Sequence, residues 1–222
     1  MPFKIKICGI TSPADAKLAV EFGADAIGLN FYSRSLRSVT ATKAKEIAEN
    51  LNDAHVVGVF VNESADTINQ LVQSVGLDFV QLHGDEPTEL VSAIDAKIIK
   101  VIRIMDQNFD AVIEIANQWK AAGAKAVLLD AGSKADYGGT GKQLDWRAIT
   151  ALRTELPLLL AGGLNCDNVA HAISIAKPHG VDVASGIEKF PGSKDVETMR
   201  KFVESAAKAF AAADSSQYDS GR

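Results

Sequence analysis

Lys4-Ile5-Lys6-Ile7-Cys8 opens the chain as a short β-rich run, and Pro13 to Phe22 follows it with apolar residues at helical spacing. Short runs recur at Ala26 to Phe31, Val56 to Val61, Phe79 to Leu82, Ile98 to Ile104, Ala126 to Asp130, Leu158 to Ala161 and Val181 to Ser185. After each comes a stretch of helical periodicity: Ala41 to Asn50, Ala65 to Val75, Glu86 to Ser92, Asp110 to Ala121, Trp146 to Thr154, Asn168 to Ile175 and Val196 to Phe210. The runs start about 25 residues apart, close to the lower size limit for a closed barrel. Strands alternating with helices in this way predict an α/β fold, a (β/α)8 TIM barrel of eight parallel strands. A doubly wound open sheet is the structural alternative.

Local signals agree with that pattern. Ser12, Ser64 and Asp167 stand where helix N-caps belong. Gly23-Ala24, Gly76-Leu77, Gly123-Ala124 and Gly180-Val181 suit C-caps that turn the chain back into the next strand. Residues 1–210 form a single catalytic barrel domain on this reading. Residues 211–222, with Asp214, Ser215, Ser216, Ser220 and Gly221, read as a polar, flexible C-terminal tail.

Composition narrows the function classes. A chain of 222 residues, 47% hydrophobic and 23% charged, has enough apolar material for one substantial core. A formal charge of −5 with no basic patch argues against nucleic acid and against an acidic membrane surface as partners. An anionic substrate must then be attracted locally. The apolar runs are too short for a membrane span. Two cysteines, Cys8 and Cys166, and no leader-like start fit a reducing, cytoplasmic setting without a disulfide. A monomer is expected in preference to a homodimer.

In a barrel the chemistry gathers where strands break into loops at their C-terminal ends. Alternation along the first run puts Lys4, Lys6 and Cys8 on one face and sends Ile5 and Ile7 toward the helices. In the sixth run Ala126, Leu128 and Asp130 face inward and Val127 and Leu129 outward, so Cys8 and Asp130 meet at one mouth. Each also has a plainer reading, Cys8 as a small buried hydrophobe and Asp130 as the cap of a turn. Ala161-Gly162-Gly163-Leu164-Asn165 and Ala184-Ser185-Gly186-Ile187-Glu188 follow the seventh and eighth runs, where barrels hold phosphate on backbone N–H groups. A short helix N-terminus after the eighth run would add its dipole. Their alternative is a pair of tight turns.

Tyr137-Gly138-Gly139-Thr140-Gly141-Lys142 is not a nucleotide loop, since Asp136 replaces the leading glycine and Gln143 the hydroxyl that would bind magnesium. A mobile cover over the site, with Lys142 attracting an anion, fits better. His55, His83, His171 and His179 lack metal-ligand spacing, so no metal is expected.

Lys6-Ile7-Cys8-Gly9-Ile10-Thr11, Gly58-Val59-Phe60-Val61-Asn62, Gln81-Leu82-His83-Gly84-Asp85-Glu86, Gly138-Gly139-Thr140-Gly141-Lys142, Ala161-Gly162-Gly163-Leu164 and Ser185-Gly186-Ile187-Glu188 together resemble, in order, the motifs of the phosphoribosylanthranilate isomerase family. The resemblance implies an Amadori rearrangement of N-(5-phosphoribosyl)anthranilate to 1-(2-carboxyphenylamino)-1-deoxyribulose 5-phosphate in tryptophan biosynthesis, with no redox or metal cofactor. It implies Cys8 as general base, Asp130 as general acid and Arg37 as the contact for the anthranilate carboxylate. Cys166, where the family usually has proline, and the polar tail depart from the pattern without touching this chemistry. His83 and Asp182 stay outside the catalytic set. The rivals are a histidine-pathway aminoaldose isomerase, which Cys8 disfavours, indole-glycerol phosphate synthase, whose flanking motifs do not match, and a catalytically silent phosphometabolite-binding barrel.

Overall fold

The computed structural model describes residues 3–49, 51, 53–105, 108–131 and 144–219. Eight strands, β1 (Ile5–Cys8), β2 (Ala26–Asn30), β3 (His55–Phe60), β4 (Phe79–Leu82), β5 (Lys97–Ile104), β6 (Ala126–Ala131), β7 (Leu158–Leu160) and β8 (Gly180–Val183), close in sequence order into a parallel barrel. The β1–β8 seam pairs Ile5 with Val181 and Lys6 with Asp182. Among the described residues seven α-helices surround it: α1 (Pro13–Glu21), α2 (Ala41–Ala48), α3 (Ala65–Leu71), α4 (Val112–Ala122), α5 (Trp146–Thr150), α6 (Val169–Ala176) and α7 (Val196–Asp219).

Side-chain alternation along each strand sorts the core into two parts. Ile5, Ile7, Val127, Leu129, Val181 and Val183 point outward and pack against the helices. Phe3, Ala26, Val57, Phe79, Ile99, Val101, Ala126, Leu128, Leu159 and Ala161 fill the barrel itself. The fill is apolar at the bottom, carries the buried Lys6 above it and turns polar toward the C-terminal strand ends, where Cys8, Gln81, Asp130 and Asp182 stand. Among the described residues these side chains pack the barrel interior, and a cleft lies at its C-terminal end.

Several local expectations are corrected. Lys4 precedes β1 and turns outward to Asp214, 2.6 Å away, instead of sharing the inner face with Lys6 and Cys8. The stretch expected to be helical from Glu86 to Ser92 is a 3-10 turn at Thr88–Ala93, because Pro87 holds its own backbone extended and has no N–H to donate. α3 ends in a π turn over Val72–Gly76. Gly23, Gly76 and Gly123 take the positive φ of a C-cap, but Gly180 does not. Lys177 supplies the left-handed residue after α6. Gly180 instead lies against Leu159 and the carbonyls of Phe3 and Lys4, where a Cβ would not fit. Asp167 is not a cap, since Asn165 accepts from the N–H groups of Asp167 and Asn168.

Helix α7 runs on to Asp219, so most of the expected tail is helical. Ala211, Ala212 and Ala213 carry the highest helix propensity, and Lys4 anchors Asp214. No helix among the described residues is long and apolar enough to cross a membrane. The Tyr137–Lys142 stretch lies outside the described residues.

Leu128, fully buried within the barrel, and Asp214, in an exposed pair, are expected to differ sharply in worth. Leu128→Ala should cost about 2–5 kcal/mol, and Asp214→Ala less than about 1 kcal/mol, both read from urea unfolding.

Candidate active site

The C-terminal strand ends enclose a cleft of about 610 Å3, and Cys8, Arg37, Asp130, Gly162, Gly163, Ser185 and Gly186 all line it. Cys8 enters from β1 and Asp130 from β6. Gln81 and His83 at the end of β4, and Asp182 on β8, line the same cleft. Lys142, with the rest of the glycine-rich stretch around it, lies outside the described residues.

The register of the seam determines what surrounds the thiol. Lys6 and Asp182 are directly paired across β1 and β8, and their side chains form a buried ion pair at 2.8 Å. Burial works to lower the Lys6 ammonium, but the Asp182 carboxylate and Cys8 outweigh it and raise its pKa. Gly28 on β2 makes the arrangement possible: a Cβ there would lie 2.8 Å from Cys8 Sγ and 2.9 Å from Lys6 Nζ. Burial pushes the Cys8 thiol up. The charge and hydrogen bond of Lys6, with a smaller pull from Lys194, oppose that push but do not overcome it. Cys8 is thus a thiol at rest, with a cation beside it for the moment it loses its proton.

Asp130 needs a glycine beside it. Gly162 sits at φ +81°, and a Cβ on it would come within 2.6 Å of Ala131 N and 3.1 Å of Asp130 Oδ1. Gly163 continues the turn at φ +67°. Gly186 abuts the Leu164 carbonyl, so the loops after β7 and β8 meet backbone to backbone. The helix expected after β8 is only the three-residue 3-10 turn Ser185–Ile187, so anion attraction there falls to individual N–H groups instead of a helix dipole.

A second charged group ties the loops together. Arg37 donates from Nε to both Glu188 carboxylate oxygens, at 2.9 and 3.1 Å, and from one terminal nitrogen at 2.6 Å. Lys194 donates to Glu188 at 2.9 Å, to the Cys8 carbonyl at 2.7 Å and to the Ala184 carbonyl at 3.1 Å. Burial alone would raise the Glu188 carboxyl, but Arg37 and Lys194 hold it low. The Arg37 stem crosses Gly9, whose φ of +69° and missing side chain leave room for it. Two cations on one carboxylate give this cluster one positive charge in excess, with Arg37 facing the cleft.

Glu188, Lys194 and Gln81 were not assigned a role from the sequence. Gln81 carried a signal, being the polar residue on the inner face of an otherwise apolar strand. Lys194 carried none, since it belongs to the short hairpin β9 (Glu188–Phe190) and β10 (Ser193–Lys194) that follows the barrel.

Only thiolate reacts with iodoacetamide, so a raised Cys8 pKa implies alkylation that accelerates with pH, with its midpoint above the ordinary 9.0. Measured in a Cys166→Ser background, the midpoint should move higher still in Lys6→Met/Asp182→Asn, which removes the helpful cation together with its partner.

The comparisons with known proteins bear on the whole barrel. Residues 5–205 match the family model described as N-(5'-phosphoribosyl)anthranilate (PRA) isomerase. The chain is 42% identical over 204 residues to the N-(5'-phosphoribosyl)anthranilate isomerase of Geotalea uraniireducens, covering 91% of this chain and 98% of the relative. It is 43% identical over 208 residues to the enzyme of that name from Myxococcus xanthus, covering 93% and 97%. A crystal structure of phosphoribosyl anthranilate isomerase from Thermotoga maritima superposes with a TM-score of 0.84 at 38% identity, covering 93% of this chain and 99% of that one. Another, in complex with reduced 1-(o-carboxyphenylamino)-1-deoxyribulose 5-phosphate, superposes with a TM-score of 0.79 at 36% identity, with the same coverage.

Proposed function

Because the chain belongs to the N-(5'-phosphoribosyl)anthranilate isomerase family, we propose that it performs that family's rearrangement with Cys8 as general base and Asp130 as general acid. The enzyme converts N-(5-phosphoribosyl)anthranilate to 1-(2-carboxyphenylamino)-1-deoxyribulose 5-phosphate in tryptophan biosynthesis. The observation that carries the assignment of roles is that a buried thiol and a carboxyl from different strands enter one cleft, between glycine loops and Arg37.

Asp130 gives its proton to the furanose ring oxygen. As the C1–O bond opens, the aniline nitrogen lone pair forms the C=N bond of a Schiff base. Cys8, once it has released its own proton to solvent, removes the C2 proton as thiolate, and the resulting enolamine tautomerises to the ketone. The acid must hold a proton and the base must lose one in the same cleft, so the two groups need unlike surroundings. Lys6 meets the base's need: its ammonium beside Cys8 balances the thiolate charge during C2 deprotonation.

The substrate's two anionic ends give two handles for holding C1 and C2 between the acid and the base. The phosphate takes backbone N–H groups of the Gly162–Gly163 and Ser185–Gly186 loops. Its contacts are supported by the glycine backbones and by the close approach of the two loops. The carboxylate takes Arg37, which keeps one terminal nitrogen outside its hydrogen bonds to Glu188.

Cytoplasmic location is proposed from the free thiols of Cys8 and Cys166. A monomer is proposed because the exposed large apolar side chains among the described residues, Leu36, Ile113, Phe190 and Val196, are too few for an obligate interface. A related enzyme from Thermotoga maritima is dimeric, so sedimentation equilibrium at micromolar protein decides it, with a two-fold mass overturning the proposal.

The activity is checked by forming phosphoribosylanthranilate in situ from anthranilate and phosphoribosyl pyrophosphate with a purified transferase and following the loss of its fluorescence. Cys8→Ser and Asp130→Asn should each lower kcat about 100-fold or more. Near-normal turnover in either folded variant removes that residue from the mechanism. In the same assay Arg37→Ala should raise KM, and unchanged KM and kcat would remove its role.

A further inference from the structure

One buried polar chain in the cleft has no role in the chemistry above. Gln81, almost fully buried, places Nε2 3.2 Å from His83 Nδ1. On the far side of the ring, His83 Nε2 lies 3.4 Å from Asp130 Oδ2. Strand alternation brings Gln81 and His83 to the same inner face of the β4 end, and the His83 N–H to the Phe60 carbonyl at 2.9 Å fixes the backbone there. Among the described residues, His83 Nε2 and Gln81 Oε1 make no hydrogen bond, although both are buried. Unpartnered polar atoms beside a substrate cleft are costly, and that cost calls for a reason.

The chemistry of the three groups supplies one. An amide nitrogen is only a donor, so His83 Nδ1 accepts from Gln81 and the ring proton sits on Nε2. That N–H faces the carboxyl that gives up its proton in the ring-opening step. At 3.4 Å it stands just outside hydrogen-bond range, a gap that closes when a negative charge appears on Asp130.

We infer that His83 is a positioning residue for Asp130. Its Nε2–H holds the acid in place and compensates the carboxylate left once the proton has passed to the ring oxygen, and Gln81 fixes the tautomer that makes this possible. The inference rests on Asp130 as the general acid. His83 does not itself exchange a proton with the substrate, so its effect belongs to turnover and not to substrate binding.

The test is steady-state kinetics on His83→Met, His83→Gln, Asp130→Asn and His83→Met/Asp130→Asn, with thermal unfolding to confirm that each is folded. His83→Met, which fills the space without an N–H, should lower kcat roughly 10- to 100-fold and leave KM within about two-fold. His83→Gln, whose amide N–H reaches the same place, should recover most of that loss. The double variant should be no slower than Asp130→Asn, because the histidine acts only through the acid. Wild-type kcat in His83→Met, equal losses in the Met and Gln variants, or a multiplied loss in the double variant would each overturn the inference. Normal turnover in folded Asp130→Asn would overturn the acid assignment and the inference with it. If His83→Met does not fold, Gln81→Leu replaces it. A several-fold loss of kcat that vanishes in the Asp130→Asn background supports the relay, and no loss overturns it.

Discussion

A lysine with no solvent exposure stands inside this barrel, and the rest of the site is arranged around the need to answer its charge. Asp182 does so across the β1–β8 seam, the point at which the first and last strands close the sheet. Removing one partner of such a pair strands a buried charge, at a cost of about 3–5 kcal/mol, whereas an apolar pair of equal volume would pack as well. A fold has no stability reason to prefer the ions. Their position two residues before Cys8 fits the proposed role of the thiol, since the buried ammonium opposes the push of burial on it.

The same economy of charge explains how an acidic chain handles an anion. Nothing in the net charge of −5 favours a phosphorylated carboxylate. The attraction proposed is local, from backbone N–H groups on the loops after β7 and β8 and from Arg37, which shares Glu188 with the buried Lys194. Lys194 reaches from the hairpin beyond β8 to the carbonyls of Cys8 and Ala184. The strand that carries the thiol, the loop after β8 and the arginine loop are thereby held as one unit. Preorganised groups of this kind need not rearrange as charge moves in the reaction.

Asp130 is held by different means from Cys8. Its neighbours are Gly162, whose missing side chain leaves room for the carboxyl, and the imidazole of His83. The two proposed reacting groups thus have unlike surroundings in one cleft: a cation buried beside Cys8, and Gln81 and His83 beside Asp130. Unlike surroundings are what acid and base in one site need.

Much of this was legible in the order of residues. Period-two and helical patterning gave the eight strands and the inward parity of Cys8 and Asp130, because alternation is a property of the backbone that every strand obeys. Gly162 and Gly163 after β7 and Gly186 after β8 marked the loops at the cleft, the first pair because a positive φ selects glycine and the last because a Cβ would strike the Leu164 carbonyl. Lys4 misled, since parity says nothing about where a strand begins. The tail misled as well, because its polarity concealed three alanines that extend α7. Only the closed barrel could reveal Lys6 against Asp182, Arg37 against Glu188 and His83 against Asp130. These partners lie 176, 151 and 47 residues apart in the chain. No local pattern records a contact made by closing a sheet on itself; its strand register and radius decide which buried charge meets which.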